Sequence, residues 1–343
     1  MANKKLTFID LFTGAGGLYR GFKDAGLEHI FSCEIWKPAV ETLKINYPEI
    51  NLFADDIHKL DEEKIIQLMN GKSCDVLVGG PPCQGFSTIG KRLEKDPRNE
   101  LVFEFIRVVN IVKPKMFIME NVKGLLSANN GIMRELILDE FRKIGYSNAI
   151  SKVLSASDYN VPQNRQRVFF MGTRDDVQIE SELSFPNPSE KKVTVGEAIM
   201  DLLGQENQIP NHIPMNHNAT VTARIHCIPE GGGIPKDGLP EEVAYGSRSD
   251  YAKNKLKNFS HVYKRLDRNK QSTTMVPGHN AFPLHPVADR SLTVREAARI
   301  QTFPDDVVFC GTRQEQCIEV GNAVPCKLAE ALAVNAIRIL GGK

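Results

Sequence analysis

The 343-residue chain has no apolar run approaching the roughly 20 residues that would cross a bilayer, and no Cys-x-x-Cys pair. The first lack argues against a helical membrane protein. Its seven cysteines (33, 74, 83, 227, 310, 317 and 326) are odd in number and widely spread. A disulfide framework or a thiolate zinc site is therefore not expected, and no metal is expected. One reactive cysteine stays open, and composition does not say which. Net charge is only +1, so bulk charge announces no nucleic-acid partner. The start of the chain could pass for a signal peptide, but Asp10 interrupts its apolar stretch and no small-residue cleavage site follows. A cytosolic protein is expected. The chain contains one tryptophan, no internal repeat and no low-complexity tract.

What is present is alternation. Short apolar runs at residues 6–12, 30–34, 75–78, 116–120 and 168–171 read as buried strands. Between them, residues 17–25, 38–46, 101–112 and 133–144 carry helical spacing. The pattern predicts an α/β fold, a Rossmann-like, mostly parallel sheet covered by helices on both faces, with ligands beyond the carboxyl ends of the strands. Near Phe185-Pro186-Asn187-Pro188 the texture changes to Asn, His, Gly and Pro with little periodicity, which reads as a smaller, loop-rich domain. Residues 1–188, completed by 318–343, are expected to form the larger domain, and 189–317 the smaller one. Order returns where Thr293 and Glu296 have capping-box spacing for a helix to about Gln301, and a last helix is expected over 325–340. Between residues 246 and 275, eight Lys/Arg oppose two acids, a local excess that suits a phosphate backbone as well as a solvated face.

The first strand empties into Asp10-Leu11-Phe12-Thr13-Gly14-Ala15-Gly16-Gly17. A glycine turn between strand and helix lets the backbone approach a nucleotide-like ligand. Tyr19 stands where a dinucleotide fingerprint needs its third glycine. The second strand ends in Glu34, the place of an acid that binds a ribose hydroxyl, and Trp36 two residues on can stack on a purine. Asp55-Asp56-Ile57 follows a third short strand and suits an adenine edge. Glycine turn, acid, aromatic and acid, in that order, match an adenosine ligand without a pyrophosphate, which points to S-adenosylmethionine.

The segment Gly79-Gly80-Pro81-Pro82-Cys83-Gln84-Gly85-Phe86-Ser87 sets a cysteine just past a strand end, at the functional edge of the sheet, on a turn stiffened by two prolines. Glu120-Asn121-Val122 ends the next strand, so Glu120 should emerge beside Cys83. Gln163-Asn164-Arg165-Gln166-Arg167 brings two arginines to the start of another strand. An acid and an arginine pair are often only salt-bridge partners; with Cys83 they make one chemical constellation.

On these motifs the chain resembles the cytosine carbon-5 DNA methyltransferases, nearly end to end. The resemblance covers Phe12–Gly17, Glu34, Asp56-Ile57, Pro81-Pro82-Cys83-Gln84, Arg98, Leu101, Glu120-Asn121-Val122 and Gln163-x-Arg165-x-Arg167. It continues through Arg290-x-Leu292-Thr293-x-Arg295-Glu296-x-x-Arg299 and Gly321-Asn322-Ala323-Val324-Pro325. Departures are small: Thr13 where serine is common, and Ala54-Asp55-Asp56-Ile57 where Gly-Asp-Ile is common.

The resemblance implies covalent catalysis on a cytosine flipped out of duplex DNA. The Cys83 thiolate adds to carbon 6, carbon 5 takes the methyl group, and loss of the carbon-5 proton expels the cysteine. Glu120 is implied to hydrogen-bond ring nitrogen 3 and the exocyclic amine, carrying a proton as a semi-buried carboxyl can. Arg165 is implied to hold the base carbonyl and favour the thiolate, with Arg167 behind it or on a phosphate. The implied cofactor residues are Phe12, Gly14, Gly16, Glu34, Trp36, Asp56, Ile57, Pro82, Leu101, Asn322 and Val324. Residues 86–98, with Ser87, Lys91, Arg92 and Arg98, are the implied lid over the base. Residues 190–282 are the implied target-recognition region, with Lys264, Arg265 and Thr274 toward DNA. The family and size suggest the protective half of a prokaryotic restriction–modification pair, with a cognate endonuclease as genetic partner, acting as a monomer in the cytosol or nucleoid. A transfer-RNA methyltransferase of the same architecture is the nearest rival, but its Cys-Phe-Thr signature is absent. A non-catalytic DNA-binding relative would lack the nucleophile or its acid.

Overall fold

The five residues TFIDL of β1 (Thr7–Leu11) are all buried, as expected of a central strand covered on both faces. A computed structural model describes residues 5–82, 100–126, 132–235, 238–244, 263–277 and 282–342. Two compact units make up the chain: residues 1–159, 166–189 and 324–343 form the first, 160–165 and 190–323 the second. The first unit re-enters at 324, after a helix over Arg313–Asn322 that lies in the second unit. The second unit also takes 160–165, a six-residue piece that no change of texture marks.

In the first unit β1 is followed by α1 (Gly17–Asp24), β2 (Glu28–Cys33), α2 (Lys37–Asn46), β3 (Leu52–Phe53), α3 (Glu62–Met69) and β4 (Val76–Gly79). Then come α4 (Glu100–Val112), β5 (Met116–Val122), α5 (Ile132–Lys143), β6 (Ile150–Ser155) and, after β7 (Gln163–Asn164) of the second unit, β8 (Gln166–Thr173). The seven-stranded sheet has the order β3-β2-β1-β4-β5-β8-β6. From β3 to β5 all pairings are parallel; β8 lies antiparallel to both β5 and β6. The predicted mostly parallel α/β sheet is thus present, with a reversed strand near one edge.

One face of the sheet packs Ile9, Leu11, Leu77, Phe117 and Met119 with Phe105 of α4 and Phe141 of α5. The rings of Phe117 and Phe141 stack at 3.7 Å. Burial of some 25 such side chains, each worth roughly 1.5–3 kcal/mol, holds the strand ends in register. α1 meets the last helix, which starts at Cys326 and ends at Leu340, through glycine: a Cβ on Gly21 would lie 2.6 Å from the Cys326 carbonyl oxygen.

The second unit holds α6 (Val195–Ile199), α7 (Ala219–His226), β9 (Ser272–Thr273), α8 (Val294–Ile300) and α9 (Arg313–Asn322), leaving Cys326–Leu340 as α10 of the first unit. The capping box read at Thr293 is present: its hydroxyl accepts from the Glu296 amide at 3.1 Å, and Glu296 accepts from the Thr293 amide at 2.7 Å. Two short strands pair in parallel, Gln163 with Ser272 and Asn164 with Thr273. Among the described residues, no helix is long and apolar enough to cross a membrane.

Candidate active site

The carboxyl end of β1 opens into a turn that sequence alone fixes. Phe12, Gly14 and Gly16 adopt positive φ of 58°, 56° and 88°. Phe12 bears this strain without being glycine, a mark of a backbone built for a purpose. Gly17 starts α1 so close to the last segment that a Cβ there would lie 2.1 Å from the Val324 carbonyl oxygen. This brings Val324 to the turn. Gly17 belongs to the site through this contact, and nothing but the run of glycines hinted at it.

Glu34, just past β2, ties the turn together. One carboxylate oxygen accepts from the Gly14 amide at 2.7 Å; the other accepts from the Ile35 and Trp36 amides at 2.9 and 2.7 Å. Burial pushes its carboxyl above the usual range, and the three amides oppose that shift. Each oxygen keeps lone-pair capacity for a ligand hydroxyl. Trp36 caps the start of α2, half-buried. Asp56 caps the short turn Ile57–Lys59 and accepts from the His58 ring at 2.7 Å. Arg107 of α4 donates to the Ile57 and Leu60 carbonyls, both at 2.9 Å, so the helix carrying Leu101 also fixes the Asp56-Ile57 turn. Arg107 carried no recognisable signal in the sequence.

Beneath this turn lies Asp10, fully buried, with neither carboxylate oxygen in hydrogen-bond geometry to a donor. Desolvation first, then the charge of Glu34, holds its carboxyl well above the usual range; the nearby Tyr19 amide and Thr13 hydroxyl offset this in part.

The neighbouring strand ends carry the second half of the site. Arg167 Nε stands 2.9 Å from Glu120 Oε1, with both side chains largely buried. A Cβ on Gly80 would lie 3.1 Å from Glu120 Oε2, so this glycine leaves room for the acid. The Asn121 side chain donates to the Pro81 carbonyl at 3.0 Å. The end of β5 therefore grips the chain that leads into Pro82 and Cys83. Pro82 is exposed, and Cys83, Ser87, Lys91, Arg92 and Arg98 lie outside the described residues. Burial holds Cys33, Cys74, Cys317 and Cys326 as thiols, pushing Cys33 up to about 12 and Cys317 up to about 11. None of these four suits a nucleophile.

Arg165 sits in the second unit, 1% exposed, its guanidinium committed to the carbonyls of Gly321, Asn322 and Met275 at 2.9, 3.2 and 3.3 Å. Within the first unit, it is Arg167 that stands at Glu120. The basic stretch is likewise redistributed. Arg265 is no surface cation: its buried fork donates to the Ile228, His285, Ala288 and Ile225 carbonyls and to Asp289. It braces the second unit from within, which corrects its expected place on DNA. Arg268 pairs with Glu230 and Lys270 with Asp267, whereas Lys264 is exposed. The Thr274 hydroxyl donates to the Asn164 carbonyl at 3.0 Å. Asn322, closing α9, is exposed.

The family model for C-5 cytosine-specific DNA methylase matches residues 6–338. The type II methyltransferase M1.HphI of Haemophilus parahaemolyticus is 38% identical over 342 residues, spanning 97% of this chain and 87% of the relative. M.DdeI of Desulfomicrobium norvegicum is 35% identical over 371 residues, spanning 96% and 88%. Among solved structures, one described as a DNA modification methyltransferase encoded within an E. coli prophage superposes with TM-score 0.78 at 26% identity, covering 98% of this chain and 100% of that one. The Dnmt2 methyltransferase of S. pombe, at 19% identity and TM-score 0.62, shares the fold. A match over almost the whole chain, at these identities, shows that the chain belongs to the C-5 cytosine-specific DNA methylase family.

Proposed function

We propose that the chain methylates carbon 5 of a cytosine flipped out of duplex DNA, with Cys83 as nucleophile and Glu120 and Arg167 as the groups that receive the base. The observation that carries this reading is the Glu120–Arg167 pair beside the Gly80–Pro82 chain, at the carboxyl edge of the sheet. Cys83 adds to carbon 6, the ring's electrons move toward carbon 5, and Glu120 and Arg167 stabilise the charge that develops at nitrogen 3 and the ring carbonyl. To donate at nitrogen 3, Glu120 must hold a proton when the base is bound. After methyl transfer, loss of the carbon-5 proton restores the ring double bond and expels the cysteine.

S-adenosylmethionine supplies an electrophilic methyl group on a sulfonium. The strained turn Phe12–Gly17, with a glycine at the Val324 contact and Glu34 holding the Gly14 amide, fits such an adenosine ligand. Glu34 would take the ribose hydroxyls, Trp36 the purine face, Asp56 and Ile57 its edge; Pro82, Leu101, Asn322 and Val324 would complete the set. Residues 190–282, with Lys264 and Thr274, would read and hold the DNA, and Ser87, Lys91, Arg92 and Arg98 would close over it. The relatives are type II methyltransferases, which supports a protective role opposite a cognate endonuclease; action on DNA as a monomer belongs to the same proposal.

A duplex carrying 5-fluorocytosine tests the chemistry. Fluorine at carbon 5 blocks the final proton loss, so the wild-type protein should form a cofactor-dependent adduct that survives denaturing electrophoresis. Cys83→Ala should form none while still binding cofactor. An adduct in that variant would contradict the assignment.

A further inference from the structure

The C-terminal end of α9 presents four consecutive carbonyls, Val320 to Ala323, for which the helix has no donor. Two buried side chains from distant parts of the chain cover all four. Gln301 Nε2 donates to the Val320 and Ala323 carbonyls at 2.7 and 3.1 Å, and Arg165 to those of Gly321 and Asn322 at 2.9 and 3.2 Å. The same hub holds the segment after β9. Arg165 Nη1 donates to the Met275 carbonyl at 3.3 Å, and Gln163 Oε1 accepts from the Met275 amide at 2.9 Å. Gln163 closes the circuit by donating to Gln301 Oε1 at 2.8 Å. Where the two segments touch there is no slack: a Cβ on Gly321 would lie 2.8 Å from Pro277 N and 2.9 Å from its Cα.

We propose that Arg165 is a positioning residue that couples the recognition segment at residues 275–277 to Asn322, so that engagement of DNA tightens the hold on the cofactor. This rests on the reading of residues 190–282 as the recognition region and of Asn322 as a cofactor contact. A planar fork with fixed donor directions serves two helix-end carbonyls and the Met275 carbonyl at once. A shift of residues 275–277 on DNA is transmitted to the Gly321-Asn322 peptide, because the guanidinium cannot release either group without leaving a buried polar atom unmet. Linkage is reciprocal: a duplex that tightens cofactor binding is itself tightened by the cofactor. Lysine keeps the charge but offers no fork, so Arg165→Lys should uncouple the two sites.

The test is calorimetric titration of the full chain with S-adenosylhomocysteine, which binds without turnover, alone and with the duplex that methylation mapping identifies. In the wild type the duplex should tighten binding by about fivefold or more, and in Arg165→Lys by less than about twofold. Gln163→Leu, which releases the Met275 amide, should act in the same direction and carries the test should the lysine variant not fold. The same tightening in the wild type and both variants overturns the proposal, as does a wild type in which the duplex changes nothing. Coupling kept in Arg165→Lys alongside a single-turnover rate lowered by about a hundredfold would mean that Arg165 touches the base instead. A wild type that binds S-adenosylhomocysteine yet methylates no DNA would sink the methyltransferase reading and this proposal with it.

Discussion

Arg167 on β8 and Glu120 on β5 are diagonal neighbours on one face of an antiparallel pair, with Nε 2.9 Å from Oε1. The register sets Arg167 opposite Val122 and Glu120 opposite Phe169, so backbone pairing alone delivers the two charges to one place. If they act on the base as a unit, their losses will not add. Glu120→Ala and Arg167→Met should each lower the single-turnover methylation rate by about 10²–10³-fold. The double variant should be little worse than either. A double variant with the product of the two losses would show two independent roles.

Gly17 is where helix α1 and the Val324 backbone come closest. Its Cβ would stand 2.1 Å from a carbonyl oxygen, and two backbones must part to admit it. Gly17→Ala should cost about 1–3 kcal/mol of stability, by overpacking, and weaken cofactor binding. Denaturant unfolding and calorimetry check this; wild-type values for both would mean that the contact yields freely.

Asp10 gives the stability a direction in pH. Its folded carboxyl is held well above the ordinary value of about 3.9, so the native state keeps a proton that the unfolded chain has lost. Its contribution is greatest in acid and declines as pH rises through the folded value. Asp10→Asn cannot ionise, and should melt at or above the wild type at pH 8, with a flatter decline from pH 5 upward. An unchanged slope in melts across that range would contradict the buried-acid account.

His58 links Asp56 to pH. Asp56 raises its imidazole above the usual value, and Glu100 lies 3.6 Å from the other ring nitrogen. The ion pair with Asp56 is present below the raised value and lost as pH climbs through it. Cofactor affinity in the wild type should therefore change as pH climbs from the ordinary imidazole value, about 6.5, through the raised one. His58→Gln should remove that change. Parallel titrations at the two ends of the range decide it, and identical profiles would clear His58 of any part.

Much of this was legible in the sequence, for physical reasons that differ by residue. The buried runs of β1, β2, β4, β5 and β8 announce themselves because strands covered on both faces must be apolar. β6, whose ISKVLS lies mostly half-buried at the end of the sheet, and the two-residue β7 and β9 give no comparable signal. Glu34 and Glu120 were readable as acids at strand ends. Which arginine meets Glu120 was not, since Arg165 and Arg167 have the same parity and the chain passes from one unit to the other between them. Arg265 looked like one more surface cation, and only its carbonyl partners, 20 to 40 residues away, reveal a buried brace. The Gln163–Arg165–Gln301 hub joins residues up to 157 apart, beyond any local pattern.

The most direct test of the central claim is a methylation map. The protein and S-adenosylmethionine are incubated with a mixed-sequence duplex, with transfer RNA in a parallel tube, and 5-methylcytosine is read base by base. The account predicts methylation at one cytosine of a short recurring DNA sequence, absent with Cys83→Ala. Unmarked DNA beside marked RNA, or methylation that survives loss of Cys83, would contradict it.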